Sequence, residues 1–182
     1  ESLPFNDLVD RNIVVANSGG ISDSFISDYV IGAMLMFSCR FLDCFYYKQK
    51  KFWKPYLYTD ALRGKKLLIA GAGKIGKAVA QKAVSFGLSV TGVKTEITEE
   101  TFFDSIITLN SLEMYLEEAD YVVCAMPLTQ ETYHLFDSRR LDRLKKDAVF
   151  INISRGGLVD EDYLAGLLEQ KRIRGAVLDV FE

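Results

Sequence analysis

Residues 67–76 read LLIAGAGKIG, an apolar run that closes on Gly71, Gly73 and Gly76 in the spacing G-x-G-x-x-G. An amphipathic stretch, KAVAQKAVSF, follows at once. A strand entering a glycine turn that opens a helix is the arrangement that holds a dinucleotide pyrophosphate. Gly71 permits the tight turn, Gly73 lets the backbone approach the phosphates, and Gly76 allows close packing of helix on strand. The anion then lies against unpaired first-turn amides at the positive end of the helix dipole, with Lys74 and Ile75 beside it. The competing reading is a tight strand-to-helix turn with no ligand, because the spacing alone is a weak signal.

About twenty residues beyond such a turn, an NAD site usually carries an acidic residue for the ribose hydroxyls. This chain has Lys94 there, followed by Thr95. An ammonium group donates hydrogen bonds and accepts none, so it cannot serve ribose hydroxyls as a carboxylate does. Beside a 2′-phosphate it is favourable, and the Thr95 hydroxyl adds a donor. NADP(H) is therefore the first expectation. NAD(H) is the alternative, with Lys94 in solvent and Glu96 or the backbone serving the ribose.

Other candidates fall where further strands would end. Pro127 in MPLTQET can end a strand without needing a ladder donor. Thr129 and Thr132 are candidate ligand hydroxyls, or they cap a helix from Asp137 or close their own loop. In INISRGG, Ile153 and Ser154 precede Arg155, whose planar fork beside two glycines suits a carboxylate. A structural ion pair is the rival role for that arginine. Asp160 fits a helix N-cap. Asp179 can accept a hydrogen bond from a carboxamide.

The elements that position these residues alternate from Lys65 onward. Candidate strands cover 67–70, 88–93, 106–108, 121–125, 148–153 and 175–179. Helical patterns cover 75–86, 111–117, 139–145 and 162–170. Short apolar strands separated by helices imply an α/β fold, a doubly wound parallel sheet with ligands at its strands' carboxyl ends. Before it, 12–16 reads as a strand. A long helix over 22–47, capped by Ser22 or Asp23, is apolar on two faces. One face suits the sheet; the other needs a second domain, a second subunit, or further core packing. The basic run KQKKFWK reads as a solvated helix end anchored by Trp53 rather than as a nucleic-acid or membrane patch.

The 182 residues fit one domain, or one plus part of another, and 49% hydrophobic residues suffice for a core. A net charge of −3 gives no nucleic-acid footprint. No signal peptide is visible, and the longest apolar stretch, 29–39, is too short to span a bilayer, so no membrane role is expected. Three scattered cysteines and a single histidine, His134, argue against a metal site. They fit reduced thiols in a cytoplasmic protein.

Taken together, these segments resemble the D-isomer-specific 2-hydroxyacid dehydrogenase family, which includes phosphoglycerate dehydrogenases and hydroxypyruvate/glyoxylate reductases. The likeness runs through VVANSGGISDSFISD, Arg40, Trp53, GAGKIGKAVAQKAVSFG and MPLTQETYHLF. INISRGGLVDEDYLAGLLEQKRIRGAVLDVFE carries it most specifically. The resemblance implies a Rossmann-type nucleotide-binding domain over 21–182, with 1–20 as the end of a largely missing substrate domain and its crossover. It implies that Arg155 grips a 2-keto acid, and that Lys74, Ile75, Pro127, Thr132, Ile153, Ser154 and Asp179 line the cofactor. It implies that the long helix packs in a homodimer interface. Lys94 stands where NAD-using members have Asp, and resembles the basic position of NADP-using ones.

The family's acid/base pair is a histidine and a glutamate downstream of L-D-V-F. Glu182 does not match that glutamate by spacing, and His134 fits the structural T-x-H-L-F position. The expectation is a fragment that binds cofactor and turns over negligibly. Two alternatives remain: a corepressor-like, cofactor-sensing interaction protein of the same family, and an adenosylhomocysteine hydrolase-like domain that holds NAD permanently.

Overall fold

The computed structural model describes Leu8, Arg11, Ile13, Val14 and residues 20–182. Six short strands carry the domain: β1 (Lys66–Ala70), β2 (Ser89–Val93), β3 (Ser105–Ile107), β4 (Tyr121–Cys124), β5 (Val149–Asn152) and β6 (Gly175–Leu178). Every pairing is parallel and the order is β3-β2-β1-β4-β5-β6. The chain winds outward from β1 to β3, then crosses back to β4 and winds the other way. The reversal between β1 and β4 makes the crevice at their carboxyl ends the natural ligand site.

β4 and β5 are buried at every position, which is why these strands are continuous apolar runs. Their side chains alternate between two cores. Leu68, Ala70, Val122, Cys124 and Phe150 face one, and Leu67, Ile69, Tyr121, Val123 and Ile151 the other. Helices α4 (Leu112–Leu116), α5 (Ser138–Leu141) and α6 (Glu161–Glu169) cover the first face with Leu112, Leu116, Leu141, Leu164 and Leu167. Phe136 and Phe150 meet edge to face there, 5.0 Å between centroids. Helices α1 (Asp23–Ser38) and α3 (Lys74–Ser85) cover the second with Val30, Met34, Val79, Ala80 and Ala83. The Lys82–Asp28 ion pair, 2.7 Å, ties α1 to α3 at the rim.

The single helix expected over 22–47 is two. α1 stops at Ser38, Arg40 adopts a left-handed conformation (φ 56°), and α2 (Phe41–Gln49) leaves at 62° to α1. The cause is tertiary. The carbonyl of Phe37 accepts from Arg174 Nη2 at 2.7 Å, and that of Ser38 from the Asp60 amide at 2.9 Å. Those carbonyls cap the end of α1 instead of continuing it. Arg40 then pairs with Asp43 in the first turn of α2 at 2.7 Å.

Neither expected N-cap is made on α1. Ser22 has helical rather than extended backbone and no capping hydrogen bond. Trp53 is 84% exposed, so it anchors nothing among the described residues. Of the strand expected at 12–16, Ile13 and Val14 are not in a strand; the rest lies outside the described residues. No single helix among the described residues is long and apolar enough to cross a membrane. α1 and α2 pass that test only together, and α1 is seated on the sheet.

Candidate functional site

β1 ends at Ala70 and the chain turns through Gly71 at φ +109°. A Cβ at Gly71 would lie 2.6 Å from the Ala125 carbonyl oxygen, so both backbone angle and space require glycine. The turn is stitched to its neighbours, the Ala72 amide donating to Val93 (3.1 Å) and the Ala125 amide to Ala70 (2.8 Å). At Gly76 a Cβ would fall 2.1 Å from the Gly71 carbonyl oxygen, while one at Gly73 would meet nothing within 4 Å. A turn that merely joined strand to helix would need glycine at 71 and 76 only. The open face at Gly73 is the feature that fits a phosphate approaching the backbone.

Gly73 is the N-cap of α3, and no acidic residue lies in that helix's first turn. The first amides of α3 are therefore free of an anionic side chain on their own turn, and an anion there is favoured by the helix dipole. Lys74 is exposed beside the turn and Ile75 half-buried.

Lys94 follows β2 and is not in open solvent. Its ammonium contacts Glu100 Oε1 at 2.5 Å and Thr98 Oγ1 at 3.0 Å. Lys77, from α3, reaches the other Glu100 oxygen at 3.4 Å. Hydrogen bonds from Lys94 and Lys77 hold the Glu100 carboxyl below the usual carboxylate range. The hydroxyl on Lys94 belongs to Thr98, while Thr95 is exposed next to it.

After β4, Pro127 is exposed, and Thr132 Oγ donates to its carbonyl at 2.8 Å while accepting from the Thr129 amide at 2.7 Å. Both threonines therefore close their own loop, and Asp137 caps α5 with its own carboxylate, 2.9 Å from the Arg140 amide. Asp160 likewise caps α6 through the Tyr163 amide at 3.0 Å.

After β5 the loop hangs on Asn152, which is completely buried. Its Nδ2 donates to the Arg155 carbonyl at 2.9 Å and its Oδ1 accepts from the Ser154 amide at 3.1 Å. The Ser154 hydroxyl donates to the Met126 carbonyl, tying the β5 loop to the β4 loop. Ile153 packs in the core and Arg155 is exposed. Arg155 donates to the Ser154 carbonyl at 2.7 Å and forms no ion pair among the described residues, which counts against a structural salt-bridge role. Asp179 follows β6 with its amide on the Asn152 carbonyl at 3.0 Å and its side chain exposed. Its charge helps raise the Tyr29 phenol, after the larger effect of burial.

His134 stacks on Tyr133 at 4.1 Å and its Nε2 lies 3.1 Å from Glu182, which also accepts from the Tyr133 hydroxyl at 2.9 Å. These two contacts hold the Glu182 carboxyl below its ordinary range. A cavity of about 720 Å³ opens at the other end of the sheet, near Lys65, Asp120 and Arg174. Most of its charges are already paired, Arg40 with Asp43, Arg174 with Asp60 and Lys145 with Asp120, so the glycine-turn end is the better ligand site.

Two residues of the site escape the sequence reading. Asn152, a polar residue ending a buried apolar strand, is a signal that was present in the sequence. Glu100 has none, because only the folded loop brings it to Lys94 and Lys77.

The family profile described as "D-isomer specific 2-hydroxyacid dehydrogenase, NAD binding domain" matches residues 31–182. A glyoxylate reductase of Korarchaeum cryptofilum is 32% identical over 187 residues, spanning 100% of this chain and 56% of that protein. The chain thus spans little more than half the length of such relatives. Among solved structures, a phosphoglycerate dehydrogenase from Lactobacillus plantarum superposes with a TM-score of 0.84 at 33% identity, covering 100% of this chain and 59% of the other. An acyclic imino acid reductase solved with NADPH and D-Arg gives a TM-score of 0.88 at 27% identity, covering 98% and 57%.

Proposed function

The chain belongs to the D-isomer specific 2-hydroxyacid dehydrogenase family as its NAD-binding domain, and on that premise we propose that it serves an oxidoreductase acting between NADP(H) and a small D-2-hydroxy or 2-keto acid. The nicotinamide supplies or accepts the hydride when bound. The chain's own residues hold and orient. The open backbone face at Gly73 and the first-turn amides of α3 take the pyrophosphate, with Lys74, Ile75 and Pro127 as flanking residues. Lys94 takes the 2′-phosphate, with Thr95 a second donor, and Asp179 accepts from the carboxamide.

Arg155 grips the carboxylate and polarises the keto oxygen, stabilising charge that develops as the carbonyl is reduced. Its presentation rests on Asn152 and Ser154. The chain's only histidine is tied to Glu182 and stacked on Tyr133, so it is poorly placed to deliver a proton. We accordingly expect the 182 residues to bind cofactor with negligible turnover, and to act in the cytoplasm as a homodimer. The exposed apolar side chains of Phe25, Phe41 and Phe45 on α1 and α2 support the dimer.

The observation that carries the cofactor reading is the conjunction of an open Gly73 with a cationic β2 terminus. Its test is a fluorescence titration with NADPH and NADH of the native chain and of Lys94→Asp. The native chain should prefer NADPH and the variant should reverse that order. A native preference for NADH, or a ratio unchanged by the substitution, overturns it.

A further inference from the structure

Three elements converge on one carboxylate. Lys94 comes from the end of β2, Lys77 from the first turns of α3, and Glu100 from the loop between β2 and β3. Each Glu100 oxygen is engaged by a different lysine, at 2.5 and 3.4 Å, and Thr98 bridges Lys94 and Glu100 from within the loop. The loop is fixed just beyond this point. The Asp104 amide donates to the Val90 carbonyl at 2.8 Å, Asp104 Oδ2 accepts from the Val90 amide at 2.7 Å, and Phe103 fills the space beside Gly92. Glu100 thus projects from an anchored segment.

Two ammonium groups drawn to one place repel each other, and the anion between them offsets that repulsion. Resting on the NADP(H) reading above, we propose that Glu100 is a built-in counter-anion of the 2′-phosphate subsite. It holds Lys77 and Lys94 in place when no phosphate is bound, and a 2′-phosphate must displace it. A phosphate monoester carries nearly two negative charges and three acceptor oxygens, against one charge and two oxygens on Glu100, so it can win both lysines. NADH carries no such group and leaves the cluster intact. Glu100 therefore sets the discrimination between the two cofactors by opposing the one that the lysines favour. Lys77, which the glycine fingerprint does not single out, becomes a second ligand for the phosphate.

The test compares NADPH and NADH affinities, by cofactor fluorescence, for native chain, Glu100→Gln and Lys77→Met. Glu100→Gln should tighten NADPH by about fivefold to tenfold, the scale of one removed competing charge. It should move NADH by less than about twofold. Lys77→Met should weaken NADPH and spare NADH. A carboxyl-labelled NMR spectrum of the native chain should show the Glu100 resonance shifting with NADPH and not with NADH. If Lys94→Asp reverses the cofactor preference yet Glu100→Gln leaves NADPH unchanged or weaker, the counter-anion role is wrong and the cofactor reading stands. If Glu100→Gln weakens NADH instead, Glu100 serves the ribose hydroxyls and this proposal falls. A native chain that prefers NADH irrespective of Lys94 removes the cofactor reading, and this inference with it.

Discussion

Gly73 and Gly76 lie three residues apart in one motif, yet their surroundings give substitutions there separable consequences. A methyl group at Gly73 meets nothing within 4 Å, and its backbone (φ −81°, ψ −160°) is open to any residue. Gly73→Ala gains about 0.4–1 kcal/mol by stiffening the unfolded chain and loses a comparable amount because alanine is a poor N-cap. Its net effect on stability should stay within about 1 kcal/mol. On the proposed function, the same methyl occupies the space through which a phosphate would reach the amides. Losing one charge-assisted hydrogen bond, about 1.5–3 kcal/mol, weakens NADPH about tenfold to a hundredfold.

Gly76→Ala is the opposite case. Its Cβ would sit 2.1 Å from the Gly71 carbonyl oxygen, a backbone atom that cannot swing away as a side chain could. The β1–α3 junction must open, at about 1–3 kcal/mol or more, which lowers Tm by about 2–12 °C. Thermal melts and NADPH titrations on both variants read the two axes separately. Native affinity in Gly73→Ala would show that the glycine turn holds no phosphate. Native stability in Gly76→Ala would show that the close approach is not there.

Asn152→Ala should cost about 1–3 kcal/mol, because it removes a fully buried side chain that satisfies the Ser154 amide and leaves the Arg155 carbonyl only a long bond from the Leu158 amide; a urea melt with unchanged midpoint refutes this. For Asp120, burial pushes the carboxyl up, but Lys145 and the Lys66 amide outweigh it and hold it below its ordinary range. A lowered folded pKa means stability present above the unfolded value of about 4 and lost as pH falls below it. Asp120→Asn should therefore cost about 1–2 kcal/mol at pH 7, discounted for partial exposure. The difference from the native chain should shrink on going to pH 3, and a gap independent of pH sinks the argument. Burial pushes the Cys124 thiol up to about 12, whereas Cys39 and Cys44 reach solvent. A chromogenic disulfide reagent at neutral pH should label two thiols in the folded chain and the third only after denaturation.

The strands were legible because buried parallel strands are short apolar runs bounded by polar turns, and each of the six lies within about two residues of its expected span. The helix ends were less so. What stops α1 is a guanidinium 137 residues away in sequence, on the Phe37 carbonyl, and no local pattern announces it. The same distinction divides the site. Gly71 and Gly76 could be picked out by spacing, because the turn itself demands glycine at both. The Lys94–Glu100–Lys77 cluster exists only because a loop folds back across the end of β2. Lys94 could be read as a cation, but its partner could not be named.

The three central strand ends are also mechanically joined, which bears on how binding and catalysis are coupled. The Ala125 amide after β4 donates to the Ala70 carbonyl at the end of β1, at 2.8 Å, and Ser154 after β5 donates to the Met126 carbonyl one residue further on. Asn152 then fixes Ser154 and Arg155 together. The glycine turn and the loop that carries Arg155 thus share the 125–126 backbone as a common support. A cofactor drawn into the glycine turn braces the segment on which Ser154 hangs, so its binding should order Arg155 without touching it. Ser154→Ala, which cuts that link and leaves both Gly73 and Arg155 in place, separates the two effects. Hydrogen exchange at residues 154–157 should slow on NADPH binding in the native chain and lose most of that response in the variant. Equal slowing in both would show that the two loops are ordered independently.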